Sequence, residues 1–318
     1  MRNRFVQWAA AALVGLCAVT ANAQDALKIV VGYPPGDATD VTARLMAERM
    51  RETLGRPVVV ENRAGGGGII AAELVKSAPA DGNTLMLAPL ATMVAFPFTF
   101  ERLRYDPVKD FEPVALVASF DLALAVNAAT GPATLQELGQ RAAKDGVFAS
   151  FGSPAAGSLP HFFGLITGES MKVNLLHVAY RGDAPAKQAL LGGEVGSMVA
   201  PVGAFVELEK AGKVRILATS GTRRHPLTPK VPTFIEAGVQ AQASPWFALY
   251  APAKTPKELV AKLSASALDA ANDARVKARL ADLGLQSGNV GPQGLADTMR
   301  RDAEKWGPVI RASGFKAN

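Results

Sequence analysis

Two short stretches carry the residues whose types and order could do chemistry. Residues 31–45, VGYPPGDATDVTARL, pass from an apolar run through a Pro/Gly turn into Val41, Leu45, Met46, Met50 and Leu54, which recur at helical spacing. The helix therefore starts around Asp37 to Asp40. A helix that begins at the carboxyl end of a parallel strand turns its free amides and the positive end of its dipole toward the turn, a geometry that binds anions. The same residues also fit an ordinary capped βα turn. Residues 149–164, ASFGSPAAGSLPHFFG, repeat the arrangement: a strand ends, Gly152-Ser153-Pro154 and Gly157-Ser158 make a loop, and a helix begins near Ser158 with Pro160 in its first turn. Ser153 and Ser158 supply hydroxyls, and the glycines let backbone approach a ligand closely. Two such loops facing each other across a cleft would hold a guest between them.

Other chemistries fit less well. The Gly-x-Ser-x-Gly elbow of α/β-hydrolases is absent, because Gly152-Ser153-Pro154-Ala155-Ala156 fails at its last position and Pro154 removes an amide that an oxyanion hole would use. An exported serine hydrolase built on Ser153 or Ser158 with His161 stays as the alternative from a different class. His161 is read as a packing or hydrogen-bonding residue of the cleft wall, and His177, between Leu176 and Val178, as a strand residue with no special role. The three histidines show no ligand spacing, so no metal site is expected. The glycine run 65–68 lacks the Gly-Lys-Ser/Thr ending of a phosphate loop and reads as a tight turn before a helix.

The elements that must position these loops alternate. Apolar runs at 27–31, 58–60, 84–87, 113–117 and 122–126 are interleaved with helical patterns, and the alternation returns at 147–150, 175–180, 195–199 and 214–219. That order reads as parallel-sheet α/β, in two sheets. No Gly/Ser linker separates them, so strands are expected to cross between lobes near 120–126 and again near 246–252. Two C-terminal helices, 256–271 and 294–312, should pack back on the first lobe. Leu295, Met299, Trp306, Val309 and Ile310 would form the buried face of the second, with a kink at Gly307-Pro308. Arg2 and Arg4, an uncharged run from Trp8 to Thr20 and the Ala21-Asn22-Ala23 site predict a signal peptide over 1–23, too short in its apolar part for a membrane anchor. Cys17 is the only cysteine and would leave with it, which excludes disulfides and thiolate chemistry from the mature chain. Loss of the two arginines takes the net charge from +6 to +4 with no basic stripe, which argues against nucleic acid and favours small anionic solutes.

Seven motifs in order give the chain a resemblance: YPPGDATD at 33–40, ENRAG at 61–65, ADGNT at 80–84, YDPVKDF at 105–111, HVAYRG at 177–182, VPTFIEAG at 231–238 and WFALYAP at 246–252. Together they resemble the Bug-type periplasmic receptors of tripartite tricarboxylate transporters. The resemblance implies the periplasmic binding protein type II fold: two α/β lobes joined by crossover strands, with lobe 1 formed by 24–122 plus 250–318 and lobe 2 by 123–249. It implies a monomeric receptor without catalysis or cofactor. Such a receptor closes on a small organic acid, amino acid or amide and docks on membrane permease subunits, without inserting in the membrane itself. A role in ligand sensing for signalling proteins is the neighbouring alternative. The carboxylate loops would contain Tyr33, Pro35, Gly36, Asp37 and Thr39 on one side and Gly152, Ser153, Ser158 and His161 on the other. Further contacts would come from Pro89, Ala91, Thr92, Tyr180, Arg181, Gly182, Pro201 and Trp246. Arg181 either pairs with a second carboxylate or faces solvent. The family usually has Gly where Asp37 stands and near Ala155. Asp37 either caps the helix and occupies amides a ligand would want, or faces the cleft and repels anions; both favour an amide, amine-bearing or zwitterionic ligand.

Overall fold

A computed structural model describes residues 26–317; the signal peptide expected over 1–23 lies outside them. Strand β1 (Leu27–Val31) is buried at Leu27, Ile29, Val30 and Val31, so both of its faces are covered, as suits a strand between parallel neighbours. Those neighbours are β2 (Val58–Asn62) and β3 (Thr84–Pro89). The helix Ala38–Leu54 follows β1 and stops at Gly55, whose left-handed backbone (φ 66°) returns its N–H to Arg51 O.

The sheets are mixed, where the alternation of elements suggested parallel ones. The first has the order β11-β4-β10-β3-β1-β2, with β4 (Phe111–Phe120), β10 (Trp246–Pro252) and β11 (Leu285–Val290) antiparallel to their neighbours. The second has the order β7-β6-β8-β5-β9. Its members are β5 (Leu122–Asn127), β6 (Ser150–Ser153), β7 (Leu176–Ala179), β8 (Ser197–Pro201) and β9 (Val214–Thr219), with β5 antiparallel to both neighbours.

Asp121 alone separates β4 in the first sheet from β5 in the second. The chain returns through residues 220–245, so Leu122 belongs to the second sheet and Trp246 to Leu249 to the first, a few residues from the divisions drawn at 122 and 249. Ser220 pins this junction: its hydroxyl accepts from Leu122 N at 2.8 Å and donates to Ala243 O at 2.6 Å. The helices Lys257–Asn272 and Pro292–Ala312 pack on the first sheet, the second of them through Leu295, Met299, Trp306 and Ile310, and it runs unbroken through Pro308. One apolar cluster continues from β5 and the helix Leu159–Ser170 of the second lobe to Trp246 and Trp306 of the first.

Some local expectations shift and other elements are added. The strand placed at 147–150 lies at Ser150–Ser153, because Gly152 lets the Tyr180 ring pack on the strand face: a Cβ there would sit 3.1 Å from that ring. The edge strand β11 and the helix Ala274–Asp282 are additions to the elements read from the sequence.

Candidate functional site

Because β1, β2 and β3 are parallel, their carboxyl ends share one edge. There Tyr33 O accepts from Asn62 Nδ2 at 3.1 Å, Tyr33 Oη donates to Gly67 O at 2.9 Å, and Thr92 Oγ1 donates to the same carbonyl at 2.9 Å. Tyr105 Oη in turn donates to Thr92 O at 2.5 Å. Burial pushes the Tyr33 phenol up to about 12, so it acts as a neutral donor. Along this edge Pro89 ends β3 and Trp246 begins β10, paired with Ser119 of β4 next to the Asp121 junction. In the second lobe β6, β7 and β8 are parallel, and the register of Leu122 on Pro201 puts their carboxyl ends beside the same junction. Topology thus turns the two loop clusters toward a common cleft.

The first loop is occupied by its own acids. Asp37 caps the helix, its Oδ1 accepting from Thr39 N at 2.8 Å. Asp40, 2% exposed, reaches back to Gly36 N at 2.9 Å and also accepts from Asn62 Nδ2 at 2.8 Å and Arg44 Nε at 3.0 Å. Burial alone would raise the Asp40 carboxyl, but those donors hold it below the ordinary carboxylate range. Of the two readings of Asp37 the cap is the one observed, and Gly36 N and Thr39 N are both spent on carboxylates of the chain itself.

The second loop is organised by histidines. Ser158 caps the helix Leu159–Ser170 through a long contact from His161 N (3.4 Å) and donates its hydroxyl to Ala155 O at 2.7 Å. Gly157 N donates to His161 Nδ1 at 3.1 Å, which fixes that nitrogen as unprotonated. His161 and His177 stack with centroids 3.8 Å apart and planes 15° from parallel, and His177 Nε2 lies 2.7 Å from Ser153 Oγ. The reading of His177 as a strand residue without a role is therefore corrected: it supports the loop from below. Burial lowers His161 to about 4, and burial followed by the neighbouring His161 lowers His177 to about 3.

Ser153 and His177 have the spacing of a nucleophile and base, yet the arrangement does not suit hydrolysis. Ser153 is fully buried, its hydroxyl also donates to Ala155 O at 3.0 Å, and an imidazole held near 3 is a weak base. Among the described residues no group of three or more His, Cys, Asp or Glu is placed to hold a metal ion.

The remaining expected site residues differ in burial and in local structure. Pro35 and Gly36 are exposed, Thr39 is buried, and Ala91 and Thr92 form the first turn after β3. Trp246 is buried, with Nε1 donating to Asp302 at 2.8 Å. Tyr180 is half-buried over Gly152, Arg181 is exposed, and Gly182, at φ 103°, precedes the helix Asp183–Gly192. Asp183 was missed by sequence reasoning. Its Oδ1 is shielded from solvent without a hydrogen-bond partner. Burial pushes the carboxyl up, Lys187 pulls it down, and Asp37 of the other lobe pushes it up again, which brings the two acids into each other's field across the cleft. The signal available was an acid at the first turn of a helix after Arg-Gly.

A cavity of about 1140 Å³ lies elsewhere on the first lobe, between Lys76, residues 93–113 and the helix Pro292–Ala312, and its lining mixes apolar groups with charges of both signs.

The model of the tripartite tricarboxylate transporter family receptor matches residues 42–315. The chain belongs to this receptor family. It is 33% identical to protein BugT of Bordetella pertussis over 300 residues, covering 91% of this chain and 90% of that one. Among solved structures, MatC of Rhodopseudomonas palustris with bound malate is 33% identical with a TM-score of 0.77, covering 90% of this chain and 98% of the other. Rpa4515 of R. palustris with adipate is 29% identical with a TM-score of 0.81, at 91% and 97% coverage. As a member of a receptor family the protein binds its cargo without transforming it, so the hydrolase alternative falls. No helix among the described residues is long and apolar enough to cross a membrane.

Proposed function

We propose that the protein is an exported periplasmic receptor that closes its lobes on a small carboxylate-bearing metabolite and presents it to the membrane subunits of a tripartite transporter. The observation that carries this reading is the placement of two helix-initiating loops, one per sheet, at the edges that meet beside Asp121. A solute favours the closed form only through contacts the open form cannot make, so it must touch both clusters. The malate and adipate held by relatives supply the carboxylate half of the ligand.

The other half is read from the acids. With Gly36 N and Thr39 N already bonded and Asp183 Oδ1 lacking a hydrogen-bond partner in the field of Asp37, the cleft disfavours a second anionic end and accepts an N–H donor. A ligand with one carboxylate and an ammonium or amide group meets both demands. A melting scan against dicarboxylates, amino acids and amides tests this; at ligand 100-fold above Kd a true cargo stabilises by about 2.7 kcal/mol. Stabilisation by plain dicarboxylates at least as strong as by amino acids or amides, unchanged in Asp37→Gly, would reject the nitrogen-bearing class. No response to any solute would reject the receptor reading itself.

A further inference from the structure

The end of the chain returns to the ligand loop of the opposite lobe. The helix Pro292–Ala312 lies on the first sheet, and beyond it the backbone reverses at Gly314 (φ 66°). Ala317 N then donates to Thr99 O at 2.9 Å, and Ala317 pairs with Phe100 as an isolated parallel bridge. The tail is thus fixed to the first lobe on both sides of Phe315.

The Phe315 ring points the other way. It meets His161 edge-on, with centroids 5.3 Å apart and planes at 86°, and Phe162 at 6.0 Å and 71°. It also covers Gly157, where a Cβ would stand 2.6 Å from the ring. Gly157 is the residue whose amide is tied to His161, and His161 stacks on His177, which reaches Ser153. A continuous stack therefore runs from a side chain anchored in the first lobe to the floor of the loop in the second. Edge-on aromatic contacts of this kind are directional and are lost with a small displacement.

We propose that Phe315 is an interlobe latch, a positioning residue that holds the loop from Pro154 to His161 in its ligand-ready form and couples that loop to the closure of the lobes. This rests on the receptor reading for its purpose but not for its test, which needs no ligand. Because the ring is anchored in the first lobe and rests on the second, a swing about Asp121 that draws these two apart takes it off His161, and the latch favours the lobe arrangement seen here. The loop should loosen when the latch is gone even though no residue of the cleft has changed.

The experiment is amide hydrogen exchange on the ligand-free full mature chain, combined with the distance distribution between a spin label on each lobe, for wild type, Phe315→Ala and Phe315→Leu. The expected result is exchange at Gly157 faster by about tenfold or more in Phe315→Ala, with the amides of β1 and β2 unchanged, and a shift of the distance distribution toward open forms. Phe315→Leu, which keeps apolar bulk without the ring edge, should restore most of the closed population but only part of the Gly157 protection. Uniformly faster exchange throughout the chain, or unchanged Gly157 exchange and unchanged lobe distances, would overturn the latch. Absence of cargo binding by wild type with the latch results intact would strike the receptor reading alone.

Discussion

Acidification should unfasten the second loop. Gly157 N–H donates to His161 Nδ1, so a proton on that nitrogen would set one donor against another. The folded chain holds His161 near 4 and His177 near 3, whereas the unfolded chain titrates them near about 6.5. The unfolded state thus takes up protons that the folded pair refuses. The contribution is fully present above the unfolded value and is lost as pH falls through it toward the folded ones. Between about pH 7.5 and about pH 5, linkage gives a loss of about 2 kcal/mol for each ring and about 4 for the pair, which partial solvent access reduces to roughly 2. Asp121 acts in the opposite sense: burial pushes its carboxyl up to about 6, so the folded state gains stability as this acid is protonated. Urea unfolding of wild type and His161→Gln/His177→Gln at both pH values cancels that effect, because Asp121 is common to both. Wild type should lose roughly 2 kcal/mol more than the variant on acidification. Equal pH slopes in the two proteins would refute the account of the histidine pair.

Other outcomes follow from the same contacts. Asp40→Ala strips three donors of a buried acceptor and should cost about 2 to 3 kcal/mol in urea unfolding, against about 1 kcal/mol for Asp37→Ala, which removes only a cap. Asp183→Asn removes a carboxyl whose Oδ1 has no hydrogen-bond partner; calorimetry should show affinity for ammonium-bearing ligands falling by about tenfold or more, with that for dicarboxylates rising. Sequencing of the exported protein from its N-terminus should begin at Gln24, as a signal peptide ending at Ala23 requires.

How far the sequence could be read follows from what each signal depends on. The strand–turn–helix units at residues 31–45 and 149–164 announce themselves locally, through apolar runs, Pro/Gly turns and Ser or Asp at helix starts, and the structure places a cap at both Asp37 and Ser158. Strand β11, with the sequence LQSGNV, has weak strand propensity and exists because β4 offers it an edge; a Cβ at Gly288 would stand 2.6 Å from Leu116 O, a requirement visible only once the partner is in place. His177 read correctly as a strand residue, but its stack on His161 joins positions 16 apart through the pairing of β6 with β7. Phe315 carries no local signal at all, since its meaning comes from a tail fixed to Phe100 and a loop in the other sheet. The mixed sheet order was hidden for the same reason: alternation in sequence does not say which strands a returning segment will separate.

The junction at Asp121 has a mechanical meaning. With β4 ending at Phe120 and β5 beginning at Leu122, there is no slack chain to absorb a swing, and Ser220 fastens the returning segment beside it. Any rotation must be concentrated in the torsions of a very few bonds, as in a door hung on a short pin. Such a pivot constrains the path of the swing while the surfaces that meet at its end, being turns, are free to be rewritten for a different cargo.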